Sequence, residues 1–305
     1  MFGAPPVIEA EVFATVPASL RHPGFRSEWT EVMRHGAPTD CFIEGPSFDR
    51  AGNLFVCDIP FGRIFRIAPD GAFSVVAEYD GEPCGLKFRK DGRALITDFR
   101  QGVMELDPAS GTVRPWLDKG RLPGFRGVND LVFADNGELW FTDQGQTGMH
   151  DPTGRLFRQR VDGRLDLVLD NVPSPNGVVL NPEQNVVYLA VTRGNCVWRV
   201  PLVKGGVAKV GVFIQLSGSL AGPDGLAVDE QGNLVVAQAG SGAVWLFSRL
   251  GEPLYRIQSR TGVVQTNVAY GWPDRHILYI TESDTGNILR ARLPVAGRTM
   301  FSHQT

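Results

Sequence analysis

The sequence predicts an all-β chain, a six-bladed β-propeller with four-stranded antiparallel blades and a last blade closed by an N-terminal strand. Two observations carry this prediction. One phrase recurs six times, opening at Glu44 (EGPSFDRAGNLFVCD), Cys84 (CGLKFRKDGRALITD), Asn129, Asn176, Asp224 and Asn267, with starts 40 to 48 residues apart. Short strands repeated at that period are the mark of a radial array. No copy carries a helical period.

Each repeat reads the same way. A short apolar strand follows the opener, then a polar turn such as Ala51-Gly52-Asn53, Asp91-Gly92, Asn136-Gly137 or Gln231-Gly232-Asn233. Such residues tolerate the positive φ of tight hairpins. A second strand rich in β-branched and aromatic residues comes next, for instance Leu139-Trp140-Phe141 and Val187-Tyr188-Leu189. It ends at Asp58, Asp98, Asp143, Val191, Gln238 and Glu282. Strands three and four follow, except in the sixth copy, where about a dozen residues remain after Leu293. The alternating segment at 8–16 supplies the missing strand and zips the ring shut, which protects the edges. The expected layout is one propeller over 1–305, with a connecting and cover segment at 17–43 and six repeats at 44–293.

Bulk properties exclude several classes. With 30 basic and 33 acidic residues the net charge is −3, which offers no footprint for nucleic acid or for a membrane surface. The start lacks a charged n-region with a long apolar core, and no apolar run approaches a membrane span. The four cysteines show neither a C-x-x-C pair nor zinc spacing. These features point to a cytoplasmic protein.

Geometry then places the chemistry. Strand one runs away from the opener and strand two returns, so openers and strand-two ends share one face. Five of six openers carry side-chain oxygens. Around an axis those oxygens converge, which is how a hard cation is held. The loops joining strands two and three frame the mouth. Only the third is long, with eleven residues from Asp143 to Gly154 where four suffice elsewhere. It reads as a lip over the well, and the 17–40 segment as a second cover.

The phrases at Glu44 (E-G-x-x-F-D-x-x-G-N-L-F), Asn129 (N-D-x-x-F, then F-T-D), Pro175-Asn176-Gly177 and Pro223 (P-D-G-L-A-V-D-x-x-G-N-L) resemble the SMP-30/gluconolactonase/luciferin-regenerating family of six-bladed propellers. The likeness runs from Glu44 to Leu293 and is nearest to the family's bacterial Drp35-like lactonase branch. It implies one divalent cation, calcium first, held by Glu44, Asn129, Asn176 and Asp224, with Mg²⁺, Mn²⁺ or Zn²⁺ as other candidates. Two carboxylates and two amide oxygens suit calcium, magnesium or manganese and suit zinc poorly. The implied activity is hydrolysis of a lactone, with Asp224 as base or nucleophile. A phosphotriester-cleaving hydrolase on the same centre and a non-catalytic binding propeller are the alternatives.

The remaining residues divide between site and scaffold. Asp58, Asp98, Asp143 and Glu282 recur at strand ends and read as loop caps, with Asp143 the best exception because it leads into the long insertion. Asp143, His150, Cys84 and Asn267 are the candidate substrate contacts. Cys84 is a soft thiol and a poor ligand for a hard ion, better read as a small buried residue. Asn267 would contribute a hydrogen bond at the rim or none. Gln144, Gln238, Thr192 and Arg193 would suit a sugar lactone; Phe61, Phe99 and Met149 would suit an apolar one.

Overall fold

The glycines of the hairpin turns close each repeat into an antiparallel meander. Gly52, Gly92, Gly137 and Gly232 all take φ between 80° and 87°, which a side chain would resist. The structure is a computed structural model that describes residues 3–304. Its six sheets form a ring in which the first strand of each blade packs on that of the next.

The first five blades run in chain order. Blade one comprises Ile43–Phe48, Leu54–Asp58, Arg63–Ile67 and Phe73–Glu78, and blade two Pro83–Phe88, Ala94–Asp98, Gly102–Asp107 and Thr112–Asp118. Blade three is Val128–Phe133, Leu139–Asp143, Gly154–Gln159 and Leu165–Val172. Blade four is Pro175–Leu180, Val186–Val191, Cys196–Val203 and Gly211–Gln215, with an unforeseen extra hairpin strand at Gly206–Val207. Blade five is Gly222–Val228, Leu234–Ala239, Ala243–Phe247 and Pro253–Gln258. Blade six takes Gln265–Tyr270, Ile277–Glu282 and Asn287–Arg292 from the end of the chain and Glu11–Thr15 from its start.

That N-terminal strand is shorter than 8–16. Val12 pairs with Leu289 in blade six, but Val7–Glu9 lies parallel to Pro253–Gln258 on blade five. The chain steps between blades at Ala10, whose N–H donates to Gln258 O at 3.0 Å. The alternating pattern runs on through that step, so the break is invisible in it.

Apolar layers between blades hold the ring together. Phe55, Leu86 and Ile96 meet between blades one and two; Trp140, Leu156, Val178 and Leu189 meet between three and four. Removing one such aromatic costs about 3–5 kcal/mol.

Two segments outside the blades close its ends. On the opener face, 17–43 contains a helix, Glu28–Met33, too short to leave a helical period. Ser27 and Thr30 form its reciprocal N-terminal cap. Arg63 ties the segment down by donating to Leu20 O at 2.8 Å and bonding the His22 ring at 3.1 Å. On the opposite face residues 294–304 make a strap. Arg298 N donates to Val228 O at 3.0 Å, Phe301 stacks on Phe133 at 5.0 Å, and Arg50 donates to Ser302 O at 2.8 Å. The strap roofs a cavity of about 110 Å³ whose walls include Lys87, Asp130, Tyr270, Met300 and Phe301. Phe301→Ala should lower stability by about 2–3 kcal/mol, read as a lower denaturant midpoint. An unchanged midpoint would mean that the strap is not part of the cooperative fold. Among the described residues, no helix is long and apolar enough to cross a membrane.

Candidate functional site

All six innermost strands carry a register shift at or beside the opener: between Glu44 and Ser47, Pro83 and Gly85, Val128 and Leu131, Pro175 and Val178, Pro223 and Leu226, and Gln265 and Asn267. A bulge frees a residue from the ladder and re-aims its side chain. Repeated six times, it turns the openers toward the axis. Glycine after the opener allows the strands to crowd there. A Cβ on Gly177 would lie 2.2 Å from Asp224 O, and one on Gly225 would lie 2.0 Å from Asn267 Oδ1.

Threonine hydroxyls tie neighbouring blades together at this level. Thr142 donates to Asn176 O at 2.9 Å and Thr192 to Pro223 O at 2.8 Å. Each hydroxyl sits at or just beyond the end of strand two and fixes the backbone of the next opener.

Four openers then stand out. Glu44 Oε1, Asn129 Oδ1, Asn176 Oδ1 and Asp224 Oδ1 are buried and bond to no donor in the protein. A buried acceptor left in that state costs free energy, and four on four blades make a cation-shaped demand. Gln265 Oε1 is the other buried carbonyl or carboxylate oxygen of this kind among the described residues. No cluster of three or more His, Cys, Asp or Glu with metal-holding geometry occurs among the described residues; the four openers bring two carboxylate and two amide oxygens.

Asn129 leaves its oxygen to the well because its nitrogen is engaged: Nδ2 donates to Gln144 Oε1 at 2.9 Å. The Asn176 side chain acts on Asp224, whose carboxyl it pulls down. The electrostatics match. Burial pushes the Glu44 carboxyl well above its usual range, and the nearby Asp224 and Asp130 push it further. Asp224 is likewise raised, first by burial and then by Asp130, against the opposing pull of Asn176 and Arg193. A divalent cation relieves this crowding, and all-oxygen donors suit a hard one.

The family described as SMP-30/Gluconolactonase/LRE-like region matches residues 42–284. The chain belongs to this family. Among curated family relatives, a protein named lactonase drp35 from Staphylococcus aureus (strain bovine RF122 / ET3-1) is 27% identical over 271 residues, covering 83% of this chain and 77% of the relative. A gluconolactonase from Zymomonas mobilis is 27% identical over 286 residues, covering 83% and 79%. Among solved structures, a calcium-binding protein called regucalcin from Agrobacterium tumefaciens superposes with TM-score 0.80 over the whole of both chains at 21% identity. A gluconolactonase from Xanthomonas campestris gives 0.73 at 22% identity, covering 93% of this chain and 99% of that one. These structural likenesses bear on the fold of this family member.

Within it, the other expected site residues fare differently. Asp143 is not free to meet a substrate: Oδ1 accepts from Arg126 N and Gly127 N at 3.1 and 2.8 Å, and Oδ2 pairs with Arg155. It caps a loop, as do Asp58, Asp98 and Glu282. Asn267 is buried, with both ends of its amide engaged. Its Oδ1 accepts from Val268 N at 2.8 Å and its Nδ2 donates to Asp130 at 3.3 Å. Cys84 is buried against Trp29 of the cover helix and Ile59, beside Phe42 and Phe99, and its thiol is raised by burial. His150 is exposed on the insertion; its ring and the Arg193 side chain both flank Gly148. The insertion also meets the cover helix, where Gln146 Nε2 lies 3.5 Å from Met33 Sδ.

Asp130 is the residue that sequence reading missed. It is buried, and its charge reaches both Glu44 and Asp224. Burial raises the Asp130 carboxyl, and the charge of Lys87, which lines the same lower cavity, pulls it back down. The only hint was its place directly after the Asn129 opener, where three other blades carry glycine immediately after an oxygen-bearing opener.

Proposed function

We propose that this protein is a divalent-cation-dependent lactonase. The observation that carries the reading is the set of four donorless buried oxygens, one each from Glu44, Asn129, Asn176 and Asp224, at the head of the well. The names of the two curated relatives, a lactonase and a gluconolactonase, support the same reaction class.

Glu44, Asn129, Asn176 and Asp224 would hold the cation, which would supply electrophilic assistance to an ester carbonyl. The protein's own part is to hold the four oxygens rigidly, shield them from bulk water and provide a base. Asp224 is that base: it draws a proton from water as the water adds to the carbonyl, and returns it to the ring oxygen as the C–O bond breaks. Asn176 steadies its carboxylate, and the exposed Arg193 adds positive charge on the mouth side. A trapped acyl group on Asp224 would reassign it as nucleophile. The test is hydrolysis of a lactone panel, with paraoxon as comparator, by chelator-stripped protein with and without Ca²⁺, Mg²⁺, Mn²⁺ or Zn²⁺. Ring opening restored by a divalent ion supports the reading. Equal rates with and without any ion would sink it, and paraoxon turnover alone would favour the phosphotriester reaction.

The lactone that this mouth fits carries an apolar substituent. Three of the four polar groups suited to a sugar ring are already in use, and only Arg193 is exposed. Gln144 bonds Asn129 and Ser174, Gln238 bonds Trp245 and Ser217 O, and the Thr192 hydroxyl bonds Pro223 O. Trp29, Phe42, Ile59, Cys84 and Phe99 form an apolar cluster between the cover helix and the Cys84 opener. An alkyl-substituted γ-lactone should exceed glucono-δ-lactone in kcat/KM by about tenfold or more. A preference for the sugar lactone would overturn the apolar assignment and leave the cation-dependent reaction standing.

A further inference from the structure

The long loop of blade three begins with the side chain that orients a well oxygen. An asparagine amide has two ends of similar shape and opposite chemistry, and only the oxygen serves a cation. Asn129 presents Oδ1 to the well because Nδ2 donates to Gln144 Oε1 at 2.9 Å. Gln144 has the same ambiguity, and its own nitrogen resolves it by donating to Ser174 Oγ at 3.0 Å. The sense of one hydrogen bond therefore sets the sense of the next.

The insertion fastens Gln144 in place. Its backbone N–H donates to Gly127 O at 2.8 Å, and its carbonyl accepts from the Thr147 hydroxyl at 2.6 Å. The Thr147 oxygen also accepts from Ser174 N at 3.2 Å, so both ends of the chain are tied to one residue of the loop. Ser174 holds a left-handed conformation, φ 61°, and its carbonyl accepts from Thr192 N at 3.0 Å. Asn129, Gln144, Thr147 and Ser174 are all buried. A Gln144 side chain turned end for end would face Asn129 with its NH₂ and draw the Asn129 oxygen out of the well.

We propose that Gln144 is a positioning residue of the cation site, and that the blade-three insertion serves to hold it rather than only to cover the well. The proposal rests on the cation reading given above. A partner of this kind, one step from the metal, commonly contributes 10- to 100-fold to metal affinity.

The experiment is a double-mutant cycle on Ca²⁺ affinity, read by calorimetry on folded protein, with Gln144→Met and Asn129→Asp. Aspartate at 129 has oxygen at both ends, so its orientation no longer matters. We expect Gln144→Met to weaken Ca²⁺ binding by about tenfold or more in the native background. In the Asn129→Asp background the same change should cost less than about threefold, because the coupling is gone. Equal losses in both backgrounds would make Gln144 a packing residue and overturn the proposal, as would no loss in the first. If Gln144→Met fails to fold, Ser174→Ala removes the hold on the Gln144 nitrogen. A loss confined to the native background supports the proposal, and no loss overturns it. Absence of Ca²⁺ binding by the native protein would overturn the cation reading itself, a result distinct from the other two.

Discussion

Asp224→Asn leaves the propeller folded and lowers lactone turnover by about 10³-fold or more, since it removes the base and one charged oxygen of the well together. The variant should not melt early. Asp224 is buried near Glu44 and Asp130, so neutralising it relieves like-charge crowding and costs little packing volume. In ion-free protein we expect the melting temperature to hold or to rise by a few degrees, while Ca²⁺ affinity falls. Steady-state rates on the best lactone, with calorimetric Ca²⁺ titration and a thermal melt on the same sample, read all three. An active variant would remove Asp224 from the chemistry. An inactive variant that melts early would show only that the site was broken.

Chelator-stripped protein loses stability as pH rises, and calcium reverses the loss. Glu44, Asp130 and Asp224 all have carboxyls raised above the ordinary range, with burial as the first cause in each. The folded state therefore holds these protons more tightly than the unfolded chain does. Their contribution is fully present below the unfolded value of about 4 and is lost as pH climbs from there through the raised folded values. The slope is at most about 1.4 kcal/mol per pH unit for each group titrating. An ion that binds only the folded state adds about 2.7 kcal/mol at a hundred times its dissociation constant. Thermal melts with chelator should decline as pH rises above about 4, and the decline should shrink in excess Ca²⁺. Identical profiles with and without calcium would mean that these carboxylates do not share an ion site. Asp58 and Asp98 are raised by burial as well, but their oxygens are committed to loop donors, so their share should not respond to calcium.

Much of the site could be read from the chain because each part of it was local. An opener, a glycine-bearing turn and a strand rich in Val, Leu and aromatics declare a hairpin within fifteen residues or so, and the period counts the blades. Glu44, Asn129, Asn176 and Asp224 shared one place in that repeat, which separated them from the many other Asn and Asp residues in turns. Asp143 shared a different place with Asp58 and Asp98, and its role as a cap follows from the same regularity.

What stayed hidden depended on partners from elsewhere in the ring. Asp130 and Gln144 are ordinary polar residues until Asn267 and Asn129 meet them, and the first of those pairs spans 137 residues. The C-terminal dozen had no repeat to belong to, so its course beneath blades one, three and five was unreadable.

The all-β ring, its six blades, the N-terminal origin of the closing strand and the oxygen-bearing openers are legible in the chain, because periodic patterning and turn chemistry act over a few residues. Which oxygens remain without donors, which way each amide faces and which carboxylates are already spent emerge in the folded ring alone. Those outcomes are settled by competition for hydrogen bonds in a buried space, and the competitors come together only when the ring closes.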